Sequence, residues 1–543
     1  PTPKTANSDN YFLGYTTPVV FSKPPGQYEE VFDLELTCKE NDAKIYYTLD
    51  GSTPTSESIE YTLPIHIKNI MTVRAMARSN QKLKGEVVTH NYIIGKTHEL
   101  PIVFISTDRE NLYGDSGIIS RPSRTNQVLA NIEIVEADNA GSASFDAGIR
   151  IFGNTSRYAQ QKSFAVELAR QFGMPELRYP LFLDDLKTPD TFKSFVLRNG
   201  GSEEWNRTKL TDASLMSLSR LGMNVDAQAY RPAAIYINGD YYGLTNIREK
   251  LNRDYIETRY GVDGDLIKII EPAPGKIYRE VHGSKEDFEV LVKYIKQNDL
   301  NNYNVYKNVE KHLDIDNYID TILAHILLGN KDSGNLKFWK PEIKEAKWRL
   351  FLFDLDRAAY YPSVNHFKTR TSVDGHGSGK SFDTSVLRGL LENDEFESKF
   401  SKRAIELIDT IYSPEFATAY YNYLAENIKA EMDRSLGEWW EYSYNRADPG
   451  SKYGAPPGSK KVAKKFVEFE LDRHRNFFAK RQNYIYKYHK NFFNLSDKDI
   501  KKMREEIKEE NGPSTQIYNE FISSGSIENA ISLANTLETV LIY

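Results

Sequence analysis

The segment His325-Ile-Leu-Leu-Gly-Asn-Lys-Asp332-Ser-Gly-Asn335, followed by Trp348-Arg-Leu-Phe-Leu-Phe-Asp354-Leu-Asp356, decides how this chain is read. Apolar residues from Tyr318 to Leu328 recur at helical spacing and stop at Gly329, a favoured helix-terminating residue. Asp332 and Asn335 are therefore expected in a short loop projecting from a buried support. Phe351-Leu-Phe-Asp354 reads as a buried apolar strand that ends in carboxylates. One Asp, one amide and one or two further Asp residues are the hard oxygen donors that a divalent cation on phosphate groups requires, with a carboxylate left over to accept a hydroxyl proton. Taken alone, the same residues also suit a capped turn or a structural Ca²⁺ site. His325, on the apolar face of its helix, is expected to be a packed core histidine.

Working outward, a chain of 543 residues exceeds one hydrophobic core, so two or three domains are expected. Hydrophobic residues at 40% and aromatic residues at 12% are ample for folded cores. The net charge of −6 argues against general nucleic-acid binding. The single cysteine, Cys38, makes an intrachain disulfide impossible, and a small packed side chain is the expected role. Low cysteine content suits a cytosolic protein or an exported one. No run of 18 apolar residues exists, so no membrane-spanning helix is expected. The start at Pro1-Thr-Pro-Lys fits an exported chain whose leader has been removed.

Residues 1–18 read as a polar linker. From Val19 to about residue 96 the pattern is all-β: Val31-Phe-Asp-Leu-Glu-Leu-Thr alternates, Lys44-Ile-Tyr-Tyr-Thr-Leu is a strand, and Asp50-Gly51-Ser-Thr-Pro54 is a turn. Ile45-Tyr-Tyr-Thr-Leu-Asp-Gly-Ser-Thr-Pro-Thr55, with Tyr61, Pro64-Ile65 and Val73-Arg-Ala75, resembles the chitobiase-C-terminal-like, fibronectin-III-associated module. The resemblance implies a small β-sandwich without a catalytic role, an accessory that commonly accompanies exported or surface enzymes.

Residues 97–492 read as one α+β domain, strands first and helices later. Ala233-Ala-Ile-Tyr-Ile-Asn238-Gly239-Asp-Tyr-Tyr-Gly243 carries the Asn-Gly signal of a tight hairpin. Glu392 to Glu441 and Lys460 to Tyr488 are long helical patterns, and the cations of the second (Lys460, Lys461, Lys464, Lys465, Arg473, Arg475) are expected on a solvated face. Residues 493–543 read as a small helical tail.

Three further stretches bear on chemistry. Gly153-Asn154-Thr-Ser156-Arg157 to Lys162 lies between two predicted strands; a Gly-led polar turn can present N–H groups to phosphate, with Arg157 or Lys162 supplying charge. An ordinary hairpin with surface cations fits the same residues. Arg198, at the end of a strand that closes in Asn-Gly-Gly201, faces a cleft or pairs with Asp212 or Glu249. Gly375-His-Gly-Ser-Gly379-Lys380-Ser381 imitates a phosphate-binding loop but lacks the required first Gly and a leading strand, and reads as a mobile Gly/Ser loop.

The chain between about residues 100 and 490 resembles the CotH family of spore-coat and secreted protein kinases. Five ordered motifs carry the resemblance: Gly148-Ile-Arg-Ile-Phe-Gly-Asn-Thr-Ser-Arg157 with Gln161-Lys162-Ser-Phe; Leu197-Arg-Asn-Gly-Gly201 with Leu210-Thr-Asp-Ala; Ile235 to Lys250; Gly329 to Asn335; and Lys347 to Asp356. It implies an atypical protein-kinase-like fold, a β-rich lobe followed by a helical lobe. It also implies transfer of the ATP γ-phosphoryl to Ser/Thr of protein substrates with Mg²⁺ or Mn²⁺. Carried over, Asp332 resembles the catalytic Asp, Asn335 the metal-binding amide, and Asp354, with Asp356 beside it, the metal-chelating Asp. Lys162 and Arg157, with Asn154 and Ser156 of the same turn and Arg198, would contact phosphates. Glu249 would partner a phosphate-binding Lys or the metal. The Asp-to-Asn gap is three here against five in ordinary protein kinases, and a Gly-x-Gly-x-x-Gly loop is missing. The expected protein is extracellular or surface-bound, with cell-envelope or polysaccharide contact through its β module. A non-catalytic scaffold and a transferase of AMP or glutamate are the alternatives.

Overall fold

The computed structural model describes residues 12–95, 98–154, 156–183, 185, 187–201, 208–332, 334–374, 382–439 and 460–537. The stretch Gly375 to Ser381, most of the predicted linker and the end of the tail lie outside the described residues. The chain is α+β, with strands dominating the N-terminal part and helices the C-terminal part. It divides into two units: Pro1–Leu177 with Pro232–Thr245 and Ala430–Trp439, and Arg178–Arg231 with Asn246–Lys429 and Trp440–Tyr543.

The first unit holds the β module. Its five-stranded sheet runs in the order Gly26–Tyr28, Val88–Ile94, Met71–Arg78, Lys44–Thr48, Ile59–Glu60. Leu34, Ile45, Ile65, Ile67, Val73, Ala75 and Tyr92 fill its core, alternate residues of each strand pointing inward. The predicted strand from Val31 is split into Phe32–Leu34 and Leu36–Thr37, which pair with different partners. Cys38 is half-buried, its Sγ donating to Glu40 Oε2 at 3.1 Å.

The same unit carries Ile102–Ser106, Val128–Val135, Ser142–Phe152 and Ser163–Glu167 as successive antiparallel neighbours, with Ile102–Ser106 also parallel to Tyr230–Ile237. The Asn238-Gly239 hairpin forms as predicted, both residues at positive φ (51° and 87°). The module turn packs on it: a Cβ on Gly51 would run into the Asn238 side chain. A buried polar bond joins the two sheets, Asn91 donating to Glu133 Oε2 from both its backbone and its side-chain nitrogen at 2.8 Å.

The second unit is built on a five-stranded sheet in the order Asp226–Ala227, Arg349–Leu352, Lys337–Pro341, Ile267–Ala273, Ile277–His282. This sheet, so late in the chain, departs from a plain succession of strands then helices. Helices Thr211–Gly222, Ile315–Leu327, Asp394–Asp409, Pro414–Asn427 and Lys460–Phe492 belong to this unit. The long helical pattern from Glu392 is broken where Ser413 caps a new helix at Pro414, and again at Lys429. The tail folds as Asp497–Glu510, Pro513–Ser524 and Ile527–Thr536, and Ser514 Oγ donates to Gly222 O at 3.0 Å. The predicted solvated face is only partly so: Arg475 is half-exposed beside Asp472, whereas Arg473 stacks on Tyr360 at 3.8 Å and bonds Ala359 O at 2.6 Å.

Candidate functional site

Helix Ile315–Leu327 starts at Asp314, whose side chain accepts from Asn317 N, and ends before Gly329, which adopts φ +64°. Its last carbonyls have no partners within the helix. Arg481 supplies them: Nε donates to Leu327 O at 2.8 Å and Nη2 to Ile326 O at 2.7 Å. The same guanidinium bonds Pro362 O and Val364 O at 2.6 and 2.7 Å, so one buried cation ties the helix end to a second loop.

Asn330, 1% exposed, then sets the course of the loop. Its Nδ2 donates to His325 Nδ1 at 3.0 Å and its Oδ1 accepts from Asp332 N at 3.0 Å. His325 is fully buried, the packed core histidine predicted. Asn335 Nδ2 reaches across to Asp354, at 3.0 Å from Oδ2 and 3.4 Å from the carbonyl. The strand Arg349–Leu352 stops two residues before Asp354, which sits at φ +57°. A left-handed non-glycine residue costs on the order of 1–3 kcal/mol and persists only where its surroundings over-determine it. Here Asn335 holds its side chain and carbonyl, and Asp212 Oδ1 accepts from the next amide, Leu355 N, at 2.7 Å.

Arg198 closes the cluster. It ends strand Ser194–Arg198, whose partner in the register is Asn246. Its guanidinium lies 2.9 Å from Asp354, 3.7 Å from Asp212 and 4.0 Å from Asp356. Against burial, which works the other way, these three carboxylates hold its charge above the usual arginine range. Burial raises the Asp354 carboxyl, helped by Asp212 and Asp332 and opposed by Arg198. The Asp354 side chain keeps 33% of its exposure and that of Asp356 only 4%. Asp356 is crowded as well: a Cβ on Gly201 would lie 2.5 Å from its Oδ2, and Gly201 takes φ +108°. Of these two carboxylates, Asp354 is the one that keeps solvent access.

The other predicted residues are placed differently. Glu249 is taken by arginines, Arg259 at 2.9 Å and Arg220 at 3.7 Å, with Ala229 N donating to it as well. This buried ion-pair set does not present Glu249 to a phosphate-binding lysine or a metal. The Gly153–Lys162 loop belongs to the first unit and joins Ser142–Phe152 to Ser163–Glu167 as expected. Asn154 is exposed, Ser156 half-buried, and Arg157 lies over the Tyr158 ring at 4.7 Å. Lys162 is buried, donates from Nζ to Ala159 O at 2.7 Å, and burial lowers its pKa.

Fold and loop together define an α+β protein with an N-terminal β module and a carboxylate–amide site seated on the end of a buried helix. The family described as CotH kinase protein matches residues 149–485, more than half of the chain, and the Fn3 associated module matches residues 34–92. The chain belongs to the CotH kinase protein family. No curated protein matches it. Asn330 and Arg481 escaped the sequence reading, and Asp212 figured only as a partner for Arg198. The one local signal was Asn330, two residues before Asp332, where a side-chain amide can cap a turn.

Proposed function

We propose that this protein is an ATP-dependent kinase that phosphorylates Ser or Thr of protein substrates. The observation that carries the reading is the Asp332–Asn335 loop meeting Asp354 across a hydrogen bond of 3.0 Å. Asp332 accepts the proton of the acceptor hydroxyl while the hydroxyl oxygen bonds the γ-phosphorus and the bridging oxygen leaves with ADP.

The donor set fits a hard divalent cation. Among the described residues no three His, Cys, Asp or Glu side chains form a closed metal cage. Mg²⁺ does not need one, since it binds through one or two carboxylates, substrate phosphates and water. Asp354 is half-buried, the more accessible of the pair with Asp356, and Asn335 spends its amide nitrogen on Asp354, leaving its oxygen to face a metal. Asp354 and Asn335 would hold Mg²⁺ or Mn²⁺, which neutralises phosphate charge when bound, and Asp356 is assigned a structural place. Lys162, Arg157, Asn154 and Ser156 are proposed for the nucleotide phosphates. Arg198 is proposed as a counter-charge to Asp354.

An extracellular or surface location, a boundary between module and kinase domain near residue 97, and envelope or polysaccharide contact through the module are proposed on the family resemblance. One observation favours a rival, non-catalytic scaffold: Arg198 already neutralises Asp354.

The test incubates the protein with Mg²⁺ or Mn²⁺ and γ-labelled ATP, beside Asp332→Ala, and weighs the products by intact mass. A phosphate mass on the protein or on an added acceptor is expected, reduced by orders of magnitude in Asp332→Ala while ATP binding persists. A gain of AMP mass would move the reading to nucleotidyl transfer. No mass gain, together with no metal-dependent ATP binding, would leave the scaffold.

A further inference from the structure

Arg370 ends helix His366–Arg370 and is 3% exposed. Nε, Nη1 and Nη2 are all buried and all without a hydrogen-bond partner. This is an unusual state for a guanidinium. Three arginines of the same unit show the contrast: Arg481 has four carbonyls, Arg248 has Asp212, Ala229 O and Met216, and Arg403 has Asp320, Glu406, Ser514 and Gly222 O. A buried charged donor left unpaired costs more than a neutral one, so a guanidinium fork of five N–H groups without any partner points to an acceptor that it is built to meet.

The surroundings say what kind. Burial pushes Arg370 down to about 10, still charged at neutral pH, and the opposing influences are Tyr318 and Asp332. Tyr318 is itself held protonated by burial. His366, one turn back, is pushed down to about 3 by burial and by Arg370 and Arg481, so it is neutral. The Gly329 backbone hydrogen-bonds His366, which brings the helix His366–Arg370 against the loop that carries Asp332. Among the described residues no side chain of that loop bonds Arg370, so its fork is left without an acceptor. A phosphoryl group matches it in charge and in bidentate geometry.

We propose that Arg370 binds the terminal phosphoryl group of the nucleotide donor beside Asp332, and so touches the group in transfer. The proposal rests on the kinase reading for the identity of the donor, and on the unpartnered guanidinium for the site. A cation on this side of the transferred group stabilises the charge that spreads over its equatorial oxygens.

The experiment compares the full chain with Arg370→Met, which keeps the volume and drops the charge, and with Arg370→Lys. Inorganic tripolyphosphate is the probe, titrated calorimetrically and by thermal melting, with ATP–Mg²⁺ transfer assayed in parallel. Tripolyphosphate should bind the wild type and raise its melting point. Arg370→Met should bind at least tenfold more weakly, lose that rise, and melt no lower than the wild type without anion, because an unpaired buried charge is gone. Arg370→Lys should fall between them. Binding by Arg370→Met within twofold of the wild type would overturn the proposal, and so would a melting point well below it with unchanged binding, the mark of a structural role. The two readings fail separately. Arg370-dependent tripolyphosphate binding without any ATP turnover would sink the kinase reading alone, whereas normal turnover by Arg370→Met would sink the Arg370 site alone.

Discussion

Replacing Asp212 by Asn tests whether one buried carboxylate organises the Asp354 loop. Asp212 lies on helix Thr211–Gly222 with a side chain 3% exposed. Oδ1 accepts from Leu355 N at 2.7 Å, and Oδ2 faces Arg248 at 3.1 Å and Arg198 at 3.7 Å. The amide can keep the Leu355 bond, but it turns a neutral NH₂ or oxygen toward two guanidiniums. Arg198 falls back on Asp354, whereas Arg248 retains only Ala229 O and Met216 Sδ. Removing one partner of a buried ion pair costs about 3–5 kcal/mol, because the other charge stays buried. The loss is read by urea unfolding at pH 7, followed through two buried tryptophans, Trp339 in the sheet that carries the loop and Trp348 just before strand Arg349–Leu352. Arg248→Met on the Asp212→Asn background should recover most of the loss, since removing both charges is near neutral. The pH dependence has a defined sign. Burial works against the Asp212 carboxylate, but Arg198 and Arg248 bring its pKa below the ordinary value. A lowered folded pKa contributes stability that is present above the unfolded pKa and lost as pH falls through the folded one, so the deficit of Asp212→Asn should shrink in acid. A deficit under about 1 kcal/mol, or one that Arg248→Met leaves untouched, would refute the assignment.

Two further outcomes are expected. Burial pushes Glu133 up to about 8, and its Oε1 has no partner; with a raised folded pKa its stabilising contribution is full below the unfolded carboxylate pKa and declines by about 1.4 kcal/mol per pH unit up to the folded pKa, so Glu133→Gln should flatten the fall in stability between pH 6 and 8, and parallel slopes in the two proteins would contradict it. Arg481→Lys replaces a fork that serves four carbonyls with three donors on one atom and should cost about 3 kcal/mol in urea unfolding, with reduced phosphoryl transfer through the displaced Asp332 loop; a loss within 0.5 kcal/mol or so would mean the carbonyls find other donors.

Much of the site was legible because its signals are local. The helix before Gly329 was expected over Tyr318 to Leu328 and forms over Ile315–Leu327. Its periodicity, its terminating glycine and the polar loop behind it lie within one stretch of chain. The Asn238-Gly239 hairpin was equally readable, since a two-residue turn with positive φ leaves few residue choices. Glu249 was misread for the converse reason: a carboxylate in a strand looks the same whether it faces a ligand or two arginines brought from Arg220 and Arg259.

The amino-acid order by itself determined the α+β class, the β module, the loop that carries Asp332 and Asn335 and the strand that leads to Asp354, because each rests on spacing within a few turns or strands. Tertiary structure alone decided which carboxylate keeps solvent access and which is buried, and which arginine forks are supplied with acceptors, as that of Arg481 is, and which, like that of Arg370, are not. Asp226–Ala227 pairs with Phe351 and Leu352, and Asp212 caps Leu355 from a distant helix. Such pairings close long loops, and a charged residue carries no mark in the chain of whether its partner is water, a carboxylate or an absent phosphate.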